Sequence, residues 1–348
     1  MSLAPLQVLV IDDSAVNRRA ITQLLESVPD VKVVDRARDG EEGLKKATLL
    51  RPDVITLDLE MPKLDGFSFL RLLMAHTPTP VIVLSSYAHS SDVFKALELG
   101  ALDFIAKPAR PDKEQLERLR KELLEKVRAV RLWRRAGGAA VRTGVAGPDR
   151  AVQVIAVGAS TGGPPAVQRL LESMAGQPVC LLVSQHMPPR FTRAFADRLD
   201  RIGSFSVSEA QDGDMVRSGH AYIAPGGRHL LLADKKGQLS VRVAAPEDDD
   251  KHAPSVDRLF ASVASCLGRE AMGVVLTGMG ADGAKGAQDI ARAGGAVWAE
   301  SEETAVVFGM PKEAIATGAV KHVLPLGELG PSLVSSLAHR SPHGRGQG

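Results

Sequence analysis

Cysteine is scarce in this chain. Its 348 residues include two, Cys180 and Cys266, and neither lies in a Cys-x-x-Cys pair. That excludes a disulfide framework, and the apolar surroundings of both make them read as buried free thiols. Charge of one sign is just as scarce. Lys+Arg number 43 against 41 Asp+Glu, a formal net charge of +2. Such a balance argues against a protein that coats nucleic acid or an anionic membrane by bulk electrostatics, although it leaves room for a small local patch. No apolar stretch approaches the roughly 20 residues that span a bilayer. The N-terminal region has neither a basic leader nor a small-residue cleavage site. A cytoplasmic protein without direct membrane insertion is therefore expected.

Apolar residues, by contrast, are plentiful. The 44% hydrophobic content is ample for sizeable cores, and 24% charged residues is ordinary for a globular protein. The length favours two domains, at roughly 100–200 residues each. Short β-branched runs alternate with amphipathic segments from the start: Gln7–Ile11, Val31–Val34, Val54–Leu57, Val81–Leu84 and Phe104–Ala106. The helical stretches between them fall near Val16–Ser27, Gly40–Leu50, Phe67–Met74 and Asp92–Leu99. Continuous apolar strands separated by helices predict a parallel sheet covered on both faces. A charged helical pattern follows from Lys113 to Arg135, and the Gly-, Ala- and Pro-rich stretch Gly137–Arg150 reads as a linker.

A second α/β pattern begins with the strand Val152–Val157. Further strands are predicted at Val179–Ser184, Ala221–Ala224, Leu230–Ala233, Leu239–Val243, Gly273–Thr277 and Ala296–Ala299. The closely spaced runs at 221–243 suggest an inserted β-hairpin. The tail Ser341–Gly348 reads as disordered.

Ligands of an open parallel sheet bind outside the carboxyl ends of its strands. Asp12 and Asp13 follow the first strand, Asp58 the third, Ser85 ends the fourth and Lys107 the fifth. Three carboxylates brought together repel one another, and a hard cation such as Mg²⁺ relieves that. A carboxylate nucleophile, a metal, a hydroxyl and an ammonium at one spot suit phosphoryl transfer onto Asp58. Each residue alone has a blander reading, since an Asp after a strand is ordinarily a turn former or helix cap. Their joint placement at successive strand ends outweighs it.

In the second half, Gly158-Ala-Ser160-Thr-Gly162-Gly163-Pro-Pro165 satisfies Gly-x-Ser-x-Gly, a sharp turn that exposes a serine hydroxyl. The competing reading is a phosphate-gripping loop, but neither the Gly-x-Gly-x-x-Gly order nor a P-loop lysine is there. His186 follows the strand Val179–Ser184 and is the best-placed base. His229 reads as structural, and His220 is the runner-up base, although turn chemistry around Ser218-Gly219 explains it adequately. His252, beside the acidic run Glu247–Asp250, reads as part of a solvated loop. A third strand end supplies Asp282 in the glycine-rich Gly278-Met-Gly-Ala-Asp-Gly283. Asp282 alone would be a helix N-cap; with Ser160 and His186 it completes a triad. Backbone N–H groups at Thr161 or around Met279 are candidates for the oxyanion hole. The order Ser, His, Asp differs from the Ser, Asp, His order of α/β-hydrolases.

These motifs carry two resemblances. Val8-Leu-Val-Ile-Asp-Asp-Ser14, Asp58-Leu-Glu-Met-Pro62, Leu84-Ser-Ser86 and Gly100-Ala-Leu-Asp-Phe-Ile-Ala-Lys-Pro108 resemble the receiver domain of two-component response regulators. Val157-Gly-Ala-Ser-Thr-Gly-Gly163, Gln185-His-Met-Pro188, Ala224-Pro-Gly226, Leu276-Thr-Gly-Met-Gly-Ala-Asp-Gly283 and Phe308-Gly-Met-Pro311 resemble the chemotaxis protein-glutamate methylesterases of the CheB type. The resemblance implies a flavodoxin-like receiver with a five-stranded parallel sheet over residues 1–125 and a helical and flexible linker over 126–150. It implies a Rossmann-like α/β hydrolytic domain with an inserted hairpin over 151–340, then a disordered tail over 341–348.

By the same resemblance Asp58 is the phosphoacceptor, with a histidine kinase as phosphodonor, and Asp12, Asp13, Asp58 and the Glu60 carbonyl hold Mg²⁺. Ser85 and Lys107 bind the phosphoryl group. Phe104 occupies the aromatic switch position, a role that overlaps with that of a plain core aromatic. The implied activity is phosphorylation-activated hydrolysis of glutamyl methyl esters on the cytoplasmic helices of chemoreceptors, with deamidation of receptor glutamines as a second reaction. The esterase site is expected to need no cofactor. Two rivals predict other features. A DNA-binding regulator needs a helix-turn-helix and a basic face, and a nucleotide-binding enzyme needs a phosphate loop.

Overall fold

A computed structural model describes residues 4–86, 90–108, 112–132, 152–189 and 191–339. The chain forms two compact units, Met1–Trp133 and Arg134–Gly348. The linker expected at 137–150 and the tail expected at 341–348 lie outside the described residues.

The first unit alternates strand and helix: β1 (Leu6–Ile11), α1 (Ala15–Leu25), β2 (Val31–Ala37), α2 (Gly40–Leu50), β3 (Val54–Asp58), α3 (Gly66–His76), β4 (Val81–Ser86), α4 (Ser90–Glu98), β5 (Asp103–Lys107) and α5 (Lys113–Ala129). Its sheet has the order β2-β1-β3-β4-β5, and every pairing is parallel. That is the flavodoxin-like order. The strands β1 and β3 are buried almost throughout, as a sheet covered on both faces requires. Helix starts are set locally. The side chains of Ser14, Asp39, Asp65 and Asp112 each accept a backbone N–H in the first turn of the helix that follows.

The boundary expected at residue 125 falls inside α5, and the helix predicted to reach Arg135 closes earlier, in a 3₁₀ turn over Val130–Leu132. The last turn of α5 is anchored to the unit. Lys126 pairs with Asp103 at 3.1 Å, and Arg128 makes a two-pronged contact with Asp30 at 2.7 and 2.8 Å.

The second unit contains β6 (Gln153–Ala159), α6 (Gly163–Ser173), β7 (Val179–Gln185), α7 (Phe191–Ile202), β8 (Ser206–Glu209), β9 (His220–Ile223), β10 (His229–Lys235), β11 (Gln238–Ala244), α8 (Val256–Leu267), β12 (Met272–Val275), α9 (Ala284–Arg292), β13 (Ala296–Glu300), α10 (Met310–Ala316), β14 (His322–Leu324) and α11 (Leu326–His339). Seven strands form a parallel sheet in the order β14-β13-β12-β6-β7-β9-β8.

The hairpin is β10–β11 alone, antiparallel from His229↔Ala244 to Lys235↔Gln238. The run at 221–224, grouped with the hairpin on sequence spacing, belongs to β9 in the main sheet. Proximity in sequence does not decide strand pairing, and β9 instead pairs parallel with β7 and β8. Leu230, Leu232 and Val241 of the hairpin pack with Leu259, Phe260 and Val263 of α8 in one buried cluster. Both cysteines are free. Cys180 is buried, which pushes its thiol up to about 12, and Cys266 is half-buried.

The chain leaves β6 toward β7 on one side and later returns to β12 on the other. That reversal opens a crevice at the carboxyl ends of β6 and β12, the position where doubly wound sheets bind ligands.

Candidate active site

Three loops meet at this crevice. Ser160 follows β6, His186 follows β7, and Asp282 lies between β12 and α9. The turn after β6 is tight: Gly163 N–H donates to the Ser160 carbonyl at 2.8 Å, and Ser160 N–H donates to Thr277 O at 3.0 Å. His186 Nδ1 lies 3.2 Å from Ser160 Oγ, and its Nε2 lies 2.8 Å from Asp282 Oδ2. An ionised carboxylate can only accept, so Nε2 carries the ring proton and Nδ1 is left to accept from the serine hydroxyl. The imidazole is therefore in the tautomer that a general base needs.

Asp282 is held at the N-terminus of α8. Its oxygens accept from Val256 N at 2.7 Å, Asp257 N at 2.9 Å and Ser255 Oγ at 3.1 Å. Burial pushes its carboxyl up. The His186 hydrogen bond and charge, with the Asp257 and Val256 N–H groups, outweigh that and bring it down to about 2. The arrangement is reciprocal, because Asp257 of α8 accepts from Gly283 N at 2.8 Å and Gly286 N at 2.7 Å, at the start of α9. Each helix thus has its free N–H groups satisfied by a carboxylate from the other's N-terminal region. The sequence reading missed Ser255 and Asp257. Their signal was a Ser-x-x-Arg start that looks like any N-cap.

The backbone at Gly278, next to Met279, lies beside Ser160. A Cβ added to Gly278 would fall 2.7 Å from Ser160 Cβ and 2.4 Å from Met310 Sδ, so only glycine permits this approach. Thr161, the other expected oxyanion donor, is buried directly after Ser160. Behind the crevice, Glu300 accepts from Thr277 N at 2.9 Å and Thr304 Oγ1 at 3.0 Å. It is fully buried, and burial pushes its carboxyl up to about 7 against the pull of those two bonds.

One histidine makes a contact beyond the role expected of it, and His229 is buried as a structural residue. His252, assigned to a solvated loop, is exposed but stacks on His186 with ring centroids 4.5 Å apart and planes 12° apart. The adjoining acidic run is tied down, because Asp250 bonds Arg258 Nε at 2.6 Å and the buried His229 at 2.9 Å.

In the first unit, Asp12, Asp13 and Asp58 converge with ligand atoms within 4.8 Å of one another. Lys107 Nζ lies 2.5 Å from Asp58 and 3.3 Å from Asp12. Burial pushes the Asp12 carboxyl up, and the Lys107 ammonium offsets this only in part. Burial disfavours the charged form of Lys107, yet the two carboxylates hold its ammonium above the ordinary lysine value. One ammonium against three carboxylates leaves negative charge over, and an all-oxygen donor set of this kind fits a hard divalent cation. Glu60 is exposed, and its backbone N–H donates to Asp58 Oδ1 at 3.3 Å. Ser85 is buried at the end of β4. Phe104 is buried on β5, edge-on to Phe94 at 6.4 Å with Lys126 Nζ 5.3 Å from its ring centroid.

Comparison with known proteins gives a consistent picture. Residues 155–333 match the CheB methylesterase family, and residues 8–119 match the response regulator receiver domain. A protein-glutamate methylesterase/protein-glutamine glutaminase 1 of Myxococcus xanthus is 66% identical over 340 residues, 96% of this chain and 98% of that one. A protein of the same name, numbered 3, from Geobacter sulfurreducens is 48% identical and spans 94% of this chain and 96% of its own length. The crystal structure of the Thermotoga maritima CheB methylesterase catalytic domain covers 54% of this chain and all of that one, with 37% identity and a TM-score of 0.51.

Proposed function

The chain belongs to the CheB methylesterase family, and from that premise we propose that it is a receiver-controlled serine esterase whose chemistry runs through Ser160, His186 and Asp282. Its reaction is hydrolysis of glutamyl methyl esters on chemoreceptors. The observation that supports the assignment most directly is the single imidazole in contact with both the serine hydroxyl and the buried carboxylate.

Ser160 Oγ attacks the ester carbonyl as His186 Nδ1 takes its proton. The imidazolium is stabilised by Asp282, which the N-terminus of α8 keeps ionised. The oxyanion is met by backbone N–H groups at Thr161 and Met279. Collapse of the tetrahedral intermediate expels methoxide, which takes the proton from His186 and leaves as methanol. Water, deprotonated by His186, then cleaves the acyl-serine to give the glutamate carboxylate and free Ser160. The same steps on a glutamine amide release ammonia, which is the proposed second reaction.

In the receiver, Asp58 accepts a phosphoryl group from a histidine kinase. Asp12, Asp13, Asp58 and the Glu60 carbonyl would hold Mg²⁺, which when bound neutralises phosphoryl oxygens. Lys107 adds a second positive charge and Ser85 a hydroxyl, and Phe104 is the proposed switch side chain. Among the described residues no helix is long and apolar enough to cross a membrane. We assign the chain to the cytoplasm, where the receptor helices that are its substrate lie. A tenfold activation by phosphorylation needs only about 1.4 kcal/mol of differential stabilisation.

The test is methanol release from methylated receptors, with and without phosphodonor, using Ser160→Ala as the blank. Release by the wild-type chain, raised by phosphodonor and absent in S160A and H186A, is the expected result. Equal release by S160A would reject the triad. Equal rates with and without phosphodonor, in chain shown to be phosphorylated, would reject the control.

A further inference from the structure

Gln185 ends β7 directly before the base, and only 2% of its surface is exposed. Its side chain turns back under the nucleophile turn instead of toward solvent. Nε2 donates to the Ser160 carbonyl at 2.9 Å and to the His186 carbonyl at 3.0 Å. One amide nitrogen therefore spends both its hydrogens on the backbone of the nucleophile and of the base. The chemistry fixes which end of the amide faces them, since two carbonyl oxygens reject a third oxygen and accept only donors.

The turn is built to admit this side chain. Gly163 opens α6, and a Cβ there would lie 2.0 Å from Gln185 Oε1. Any other residue at 163 would meet the carboxamide. A second tie runs along the backbone, where His186 N–H donates to the Ala159 carbonyl at 3.0 Å. That bond continues the β6–β7 ladder and sets the strands in register. It ends at Ala159 and does not itself reach Ser160. Ser160 is held on its own side by Thr277 O and Gly163 N–H, and the Gln185 bridge is what ties its backbone to the backbone of His186.

We propose that Gln185 is a positioning residue of the esterase, holding the Ser160 and His186 backbones in mutual register through one buried carboxamide. This rests on the esterase reading above. The Oγ–Nδ1 contact is 3.2 Å, long for a hydrogen bond to a hydroxyl, so a small drift of either loop breaks it. Misplacement of reacting groups by about 1 Å costs up to a hundredfold in rate. Gln185 touches no reacting atom, so its loss should appear in kcat and leave KM nearly unchanged.

The experiment uses the full chain with two probes: a p-nitrophenyl ester for turnover, and a fluorophosphonate whose attachment to Ser160 is followed by mass spectrometry. Q185L removes both bonds at similar volume, and Q185E puts an oxygen where two carbonyls need a donor. Q185N keeps the amide but shortens its reach. Turnover and labelling should fall between about ten- and a hundredfold in Q185L and Q185E, with KM within about twofold. The ratio of Q185E to wild-type activity should rise as pH falls, because a protonated carboxyl can donate one of the two bonds. A role confined to holding the fold would not produce that slope.

Labelling of Q185L and Q185E at the wild-type rate overturns the proposal. So does failure of all three variants to fold, judged by thermal melts, since the bridge would then hold the domain and not the site. A wild-type chain that neither turns over the ester nor takes the label would instead remove the esterase reading, and this one with it.

Discussion

Replacing Glu300 by Gln should make the second unit more stable in alkali while leaving it nearly unchanged in mild acid. The buried carboxyl titrates at about 7, against 4.5 for the ordinary group. Below pH 4.5 the folded and unfolded chains both hold the proton, and its contribution to stability is fully present. Between 4.5 and about 7 the unfolded chain releases it while the folded chain keeps it. Each pH unit in that window removes about 1.4 kcal/mol, or about 3 kcal/mol once the pH has passed through 7. Gln carries no such proton. Its carbonyl can accept from Thr277 N, and its amide can donate to Thr304 Oγ1, which already accepts from Leu326 N at 2.9 Å and has a lone pair to spare.

The reporter lies on the same strand. Trp298 of β13 is buried, and the sequence has one other tryptophan, Trp133, so a Trp133→Phe background makes Trp298 the sole indole. Urea unfolding followed at Trp298 at pH 5 and pH 9 gives the two stabilities. The gap between E300Q and wild type should widen by about 3 kcal/mol from pH 5 to pH 9, an upper figure because local relaxation around the ionised group lowers it. A gap that stays constant to within about 0.5 kcal/mol would refute the assignment of Glu300 as a buried carboxyl that holds its proton well above the ordinary carboxylate range.

Asp282 gives the opposite sign. Its depressed carboxyl stabilises the fold above about pH 4, and that contribution, about 2 kcal/mol, is lost as pH falls through 2. An acid titration of Trp298 fluorescence should show this part of the loss in wild type and not in D282N. Asp257→Ala should lower thermal stability by about 1 kcal/mol by removing the cap on α9, and should slow ester turnover by loosening the loop that carries Asp282. D257N keeps an acceptor oxygen and should recover most of both, as melts and initial rates would show. Gly278→Ala should cost turnover more than stability if Met310 yields and Ser160 is displaced, which a kcat and a melting temperature measured together would reveal.

The strand ends that carry the candidate site were legible because each follows a continuous apolar run, and in a parallel sheet such runs finish at the ligand-binding edge. Ser160, His186 and Asp282 were found that way. Two strands were not. β8 reads Ser-Val-Ser-Glu and β14 reads His-Val-Leu, and they lie at opposite edges of the seven-stranded sheet. Edge strands are short and half-solvated, so they lack the apolar signature of the centre. The reciprocal capping by Asp257 and Asp282 was illegible for another reason. Each residue, taken alone, obeys a local helix-cap rule, and only the packing of α8 against α9 shows that they serve each other. His252 is exposed as its charged neighbourhood suggests, but that neighbourhood says nothing of the ring it stacks on.

The order of the loops around the crevice also bears on the chain as it is made. The serine and the histidine come from adjacent strands early in the second unit, whereas the carboxylate arrives 96 residues after the histidine, beyond β12. β12 must then insert beside β6, a long-range pairing of the slow kind. Until β12 docks, Ser160 and His186 therefore lack the carboxylate that would orient the imidazole. By this account the imidazole gains its orienting carboxylate only when β12 docks beside β6, and a chain ended before Asp282 should turn over ester far more slowly than the whole one.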